Sequence, residues 1–255
     1  MSSRKLMVLK VGGGEVDRAD YLAALAGLVA GIDRRLVIVH GGGRDIARLL
    51  GSLGIESQFH EGLRVTGDEA IEVVEMVLSG LVNKRIAGAL VAAGVSALGL
   101  SGRDLGVVKA AKLDAAVELG HVGQPESVDR ARLEKILGLG WVPVVSPVSQ
   151  DTQGTVYNIN ADHAARAVAA ALDASELVFL SNVPGVSGGE GKIGKLDSRE
   201  AESLIAGGVI TGGMVPKVRS GLEALEAGVN RVLITDLDGL RRYLDGERVA
   251  TLMTL

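Results

Sequence analysis

VLKVGGG at residues 8–14 and VIVHGGG at residues 37–43 share one plan, a short and largely aliphatic run closed by three glycines. Val, Leu and Ile fit a pleated, buried strand, whereas consecutive glycines have no side chains to pack and turn the chain readily, so each stretch reads as a strand ending in a turn. In an open sheet with helices between parallel strands, ligands bind beyond the carboxyl ends of the strands, and glycine lets backbone N–H groups approach an anion closely. Either cluster alone is equally well explained as a tight strand-to-helix turn. Two of them point to one anionic site between two strand ends.

Working outward, the same alternation continues. Runs at 6–11, 36–40, 97–100, 141–148, 176–180 and 231–235 read as buried strands, and helical patterns occupy 21–30, 45–53, 68–93, 129–137, 161–172, 199–206 and 215–227. Repeated β-α units predict an α/β three-layer sandwich with a mostly parallel central sheet. Two stretches, 56–66 and 107–122, break the alternation and are expected as antiparallel excursions over the sheet edge, where a lid would sit. A glycine-rich charged loop at 187–195 interrupts the last third, within a second lobe beginning near Asp173.

Composition narrows the function classes. The chain of 255 residues is 47% hydrophobic but holds two Phe, three Tyr and one Trp, so its core is aliphatic and stacking platforms for single-stranded nucleic acid are scarce. A net charge of -4 gives no basic footprint for nucleic acid. The lack of cysteine excludes disulfides and thiolate chemistry. No stretch approaches the ~18 uncharged apolar residues of a membrane helix, so a cytoplasmic protein without membrane contact is expected. No G-x-x-x-x-G-K-[ST] phosphate loop, G-x-G-x-x-G fingerprint or G-x-S-x-G elbow occurs, and the four histidines show no ligand spacing, so no protein-held metal is expected.

Several polar residues stand out. Lys10 interrupts the apolar run just before the first glycines, an unfavourable place unless it reaches the rim or meets an anion. Lys217 follows a glycine turn in TGGMVPK, where helix dipole, backbone donors and ammonium would face an anion together. In NINAD, Asn158 and Asn160 alternate onto one side of an extended segment, and Asp162 is either a helix N-terminal carboxylate or a partner for a cation. Arg64 in HEGLRVT offers a fork suited to a carboxylate.

The segments KVGGG, VIVHGGG, EGLRVT, EMVLSGLVNK, GLSGRD, LGHVG, PVVSPV, NINADHAA, LSNVPGV and GVITGGMVPKV, in this order, resemble the amino-acid kinase family over nearly the whole chain. The resemblance implies transfer of the γ-phosphoryl group of ATP, with Mg²⁺ riding on the phosphates, to the γ-carboxylate of N-acetyl-L-glutamate in arginine biosynthesis. It implies an N-terminal lobe, 1–173, for acceptor binding and dimerisation, and a C-terminal lobe, 174–255, for the nucleotide. Lys10 and Lys217 would flank the transferring group, with Asp162 holding both. Gly13, Gly42 and Gly43 would receive the γ-carboxylate, and Arg64, Asn158 and Asn160 the rest of the acceptor. Asn182, Val183, Gly185, Val186, Ser187, Val209, Ile210 and Thr211 would contact the nucleotide. A carboxylate is already ionised at neutral pH, so the absence of a convincing base agrees with such an acceptor.

The chain departs from the family pattern in three places. Asn182 stands where an Asp is usual, the end reads ATLMTL, and Lys10 comes so early that the extra N-terminal helix of some relatives is not expected. A homodimer insensitive to arginine is expected from the last. A related kinase acting on a carrier-bound aminoadipate or glutamate would need a basic docking surface, which the acidic balance disfavours. A non-catalytic sensor on the same fold would be expected to have lost a lysine or Asp162, and all three are present.

Overall fold

The computed structural model of the chain describes residues 5–12, 14–188 and 191–255. Its centre is β1 (Leu6–Val11), buried along its whole length and paired in parallel with β2 (Arg35–His40) on one side. Helix α1 (Ala19–Ala30) makes the crossover between them, and α2 (Gly43–Ser52) follows β2 after Gly41 and Gly42, beginning on the third glycine. Then comes a small hairpin, β3 (Phe59–His60) and β4 (Leu63–Arg64), which realises the first expected excursion.

The helix read at 68–93 is one helical stretch of three parts: α3 (Asp68–Glu75), a π-helical segment (Met76–Val82) and α4 (Asn83–Ala92). A π segment shifts the helical register locally and recurs at functional sites. Here it carries Leu78 and Val82, which pack against Gly42: a Cβ on that glycine would stand 2.6 Å from Leu78 Cδ2. After it come β5 (Ala97–Ser101), β6 (Val108–Lys112), β7 (Val122–Val128), α5 (Arg130–Gly138) and β8 (Val142–Ser146).

The second excursion differs from its sequence reading. Strand β6 pairs antiparallel with β7 at 122–128, so most of 113–121 forms the connection rather than the returning arm. The run read as one strand at 141–148 also divides at Pro147: β8 stays in the main sheet, and β9 (Val148–Gln150) joins β6, β7 and β10 (Val156–Ile159) in a small closed barrel. Proline lacks the ladder donor, which explains the break.

The remainder is α6 (Ala161–Ala171), β11 (Glu176–Leu180), the two-residue strands β12 (Ser187–Gly188), β13 (Gly191–Lys192) and β14 (Lys195–Leu196), α7 (Ser198–Ala206), α8 (Met214–Glu226), β15 (Val232–Thr235), α9 (Leu237–Leu244) and β16 (Thr251–Met253). The loop at 187–195 thus holds a short hairpin, with residues 189 and 190 outside the described ones. The main sheet runs β14-β16-β15-β11-β1-β2-β8-β5, parallel except for the β15–β16 pair.

Two cores lie on the two faces of this sheet, giving the expected three layers. Leu6 and Val8 pack with α5, α6, α7 and α8, whereas Met7, Leu9 and Val11 pack with α1, α2, α4 and α9. Side chains alternate across a strand, so Lys10 follows Leu6 and Val8 onto the α6/α8 face. Among the described residues no helix is long and apolar enough to cross a membrane.

Candidate active site

Three chain segments bring their charges to one point at the carboxyl end of β1. Lys10 is there by strand parity, Asp162 by its place in the first turn of α6, and Lys217 by its place in the first turn of α8. Lys10 Nζ lies 2.7 Å from Asp162 Oδ1, and Lys217 Nζ lies 3.3 Å from Oδ2. The carboxylate is bound on both oxygens by different ammonium groups.

Burial decides the electrostatics of this trio. Asp162 is only 7% exposed, and burial by itself would raise its pKa; the attraction of Lys10 and Lys217 outweighs that and holds the carboxyl below its ordinary value. For Lys217, burial and the nearby Lys10 ammonium outweigh the help from Asp162, so its pKa is lowered. Two cations around one buried carboxylate leave a net positive centre, which an arriving anion would neutralise.

Two cavities meet at Lys10. The first, about 380 Å³, is lined by Lys10, Gly42, Gly43, Arg64, Asn158, Asn160 and Asp162, together with apolar Leu63, Leu78 and Val122. The second, about 310 Å³, is lined by Lys10, Lys217, Gly12, Gly14, Ser181 and Asn182, together with Glu15, Tyr21 and Arg44. The site residues read from the sequence therefore divide into an acceptor-like group and a group beside the lysines. Gly13 lies outside the described residues.

Arg64 is 7% exposed and is held in its own plane: Nη2 donates to the Gly43 carbonyl at 2.9 Å and Nη1 donates to Ser57 Oγ. Burial lowers its pKa, but a guanidinium keeps its proton. Asn158 Nδ2 donates to Thr66 Oγ1 at 3.2 Å, which ties β10 to the end of the hairpin. Asn160 caps α6, its Oδ1 accepting from Asp162 N–H at 2.8 Å. This cap fixes the turn that presents Asp162.

His40, at the end of β2, is fully buried and is pushed down to about 4 by that burial. It is a neutral packing residue beneath the glycine turn. Of the expected nucleotide contacts, only Asn182 lines the cavity beside the lysines. Val186 and Ile210 are buried core residues; Val183, Gly185, Val209 and Thr211 lie on the loops around them and Ser187 opens β12, and none of these lines it. Reading the sequence missed Phe59, Tyr21 and Arg44; Arg44 alone had a local signal, following the second glycine run directly. Among the described residues no group of three or more His, Cys, Asp or Glu is placed to hold a metal ion.

The Amino acid kinase family profile matches residues 5–236. An acetylglutamate kinase of Chloroflexus aurantiacus is 45% identical over 248 residues, 95% of this chain and 98% of that one. A crystal structure from Streptococcus mutans superposes with a TM-score of 0.82 at 33% identity, covering 98% of both chains. An N-acetylglutamate synthase of Neisseria gonorrhoeae, solved with coenzyme A and N-acetyl-glutamate, superposes with a TM-score of 0.85 at 25% identity, over 98% of this chain and 59% of that one.

Proposed function

The chain belongs to the amino acid kinase family, and from that premise we propose that it transfers the γ-phosphoryl group of ATP to the side-chain carboxylate of N-acetyl-L-glutamate, an acyl-phosphate step of arginine biosynthesis. The observation that carries this reading is the Lys10–Asp162–Lys217 cluster at the junction of two cavities, one with an arginine and amides, the other with glycines and lysines.

An oxygen of the acceptor carboxylate attacks the γ-phosphorus, the bond from that phosphorus to the β–γ bridging oxygen breaks, and ADP leaves with the bonding pair. No proton has to be removed, because the carboxylate is ionised at neutral pH. What opposes the reaction is repulsion between two anions, and the protein acts chiefly by stabilising the charge of the transferring group. Lys10 and Lys217 supply positive charge from two sides of Asp162, which keeps the two ammonium groups close despite their mutual repulsion. Backbone N–H groups at Gly42 and Gly43, where α2 begins without a side-chain cap, add donors at a helix N-terminus. Arg64 receives the α-carboxylate as a fork, and Asn158 bonds the acetamido group. Mg²⁺ accompanying the nucleotide phosphates would add charge neutralisation.

The N-terminal segment to about 173 serves the acceptor, the remainder the nucleotide, and the enzyme works in the cytoplasm as a homodimer. Strand β5 is an edge of the main sheet, and Val91 and Trp141 beside it are 57% and 43% exposed, an apolar border suited to a second copy.

The test is acyl-phosphate trapping by hydroxylamine with MgATP and N-acetylglutamate, with N-acetylaminoadipate, glutamate and aspartate as competitors for the assignment. Turnover with N-acetylglutamate above all others, lost in Lys10→Ala and Lys217→Ala, is the expected result. A purified, folded enzyme that turns over none of the four would overturn it.

A further inference from the structure

Phe59 is one of two phenylalanines in the sequence, yet it is 60% exposed, on a hairpin of four strand residues. It is also the only aromatic side chain among the described residues lining the acceptor cavity. Its ring lies against the guanidinium of Arg64, with Cζ 4.6 Å from the ring centroid.

The hairpin dictates that contact. Phe59 and Arg64 are directly opposite each other in the β3–β4 register, so their side chains stand on the same face. The two residues between the strands, Glu61 and Gly62, both have positive φ, at 48° and 81°, the conformation that closes a two-residue hairpin. A slip by one residue would turn both side chains to the other face. The register that makes the turn therefore makes the stack.

Arg64 is already fixed within its plane by the Gly43 carbonyl and Ser57 Oγ. In-plane bonds still permit the group to tilt out of plane and leave its face open to water. Stacking on an aromatic face is the interaction that restrains a planar cation in the remaining direction, and it strengthens when the cation is withdrawn from solvent. We infer that Phe59 is a positioning residue, which fixes the tilt of the Arg64 guanidinium and covers one of its faces so that its remaining N–H groups are aimed at the acceptor carboxylate. This rests on the reading that Arg64 receives that carboxylate. It also explains why an apolar ring is held out in solvent at the hairpin tip, since that is where the outer face of the buried arginine can be covered.

Phe59→Ala, Phe59→Leu and Phe59→Tyr separate stacking from mere apolar cover, since leucine covers without a π face. Loss of a partly desolvated stack predicts that Ala and Leu raise the KM for N-acetylglutamate about tenfold, with kcat and the KM for MgATP within about twofold of wild type. Tyr should keep wild-type values. In parallel, nitrogen-15 NMR of the arginine side chains, without substrate, should show slow guanidinium rotation for Arg64 in wild type and Tyr and averaged signals in Ala and Leu. Leu behaving as wild type in both measurements overturns the inference, as does an unchanged Arg64 signal in Ala. If wild type fails to turn over N-acetylglutamate, the proposed function falls, while the NMR arm still decides the role of Phe59.

Discussion

Asn83 Nδ2 lies 3.1 Å from His40 Nε2, with both residues fully buried between the sheet and the first turn of α4. The amide donates, so Nε2 accepts and the ring is neutral, with its proton on Nδ1 directed to the Gly41 carbonyl at 3.0 Å. The same amide donates to the Val144 carbonyl at 2.8 Å, so β2, β8 and α4 are joined through one side chain.

This pair predicts an acid-sensitive fold. His40 falls from 6.5 to about 4 on folding, chiefly by burial. Above about pH 6.5 the ring is neutral in both states and its contribution is fully present. As the pH falls from there towards about 4, the unfolded chain takes up a proton that the folded one refuses, so stability drops by up to about 1.4 kcal/mol per pH unit, and the loss ends once the folded ring titrates. Urea unfolding of wild type and His40→Asn between pH 7 and pH 4.5 should show a steeper decline in wild type. Equal slopes would mean that His40 accepts a proton without penalty.

Asp162→Asn keeps the volume but removes the charge between the two lysines. With its counter-charge gone, Lys217, already lowered by burial and by Lys10, falls further. The activity of Asp162→Asn should drop about a hundredfold, corresponding to about 3 kcal/mol for a broken buried ion pair. The alkaline limb of its pH–rate profile should also move to lower pH, because the ammonium is lost sooner. A reduced rate with an unmoved limb would assign Asp162 to packing alone.

Gly120 has a φ of +66°, and a Cβ there would lie 2.2 Å from the Thr66 carbonyl oxygen and 2.8 Å from its carbon, both backbone atoms. Strain and clash act together, so Gly120→Ala should lose about 2–4 kcal/mol of stability. Thr66 anchors Asn158 through its hydroxyl, so the acceptor KM should rise while the KM for MgATP stays. Denaturation midpoints and the two KM values check this; equal rises in both KM would point to a global rather than a local disturbance.

At the border of the sheet, Trp141→Glu and Val91→Asp place charges on exposed apolar residues beside β5. Each should weaken self-association by about a hundredfold or more if these residues are anchors of the dimer. Sedimentation velocity across a concentration series reads the change, and a wild type that is monomeric throughout would remove the homodimer from the reading.

How much of this was legible in the sequence depended on which physical signal each part carried. The strands ending in glycine were clear because aliphatic periodicity and three glycines rarely coincide by chance. Lys10 was clear because a charge inside an apolar run demands an explanation. The closed barrel was hidden, since β9 and β10 have only three and four residues and WVPVVSPV reads as one continuous strand. Helix α9 and strand β16 were missed for a similar reason: DLDGLRRYLD mixes a glycine with charges and has too few turns for its period to register. Val186 and Ile210 are buried in the core, and from sequence an aliphatic side chain reads the same whether it lines a cavity or fills a core. Phe59 had no signal at all until the strand opposite supplied Arg64.

Of the strands in the main sheet, the one synthesised earliest also lies in its middle. Strand β1 waits with one edge unpaired until β11 is made, because Met7 pairs with Glu176 and Lys10 with Phe179. Pairings so distant in the chain form late and slowly, and an open apolar edge invites association with other chains meanwhile. Asp162 and Lys217 likewise arrive with α6 and α8, long after Lys10. A partly synthesised chain therefore holds a lysine without its partners, and the charged centre comes into being only when these later helices dock.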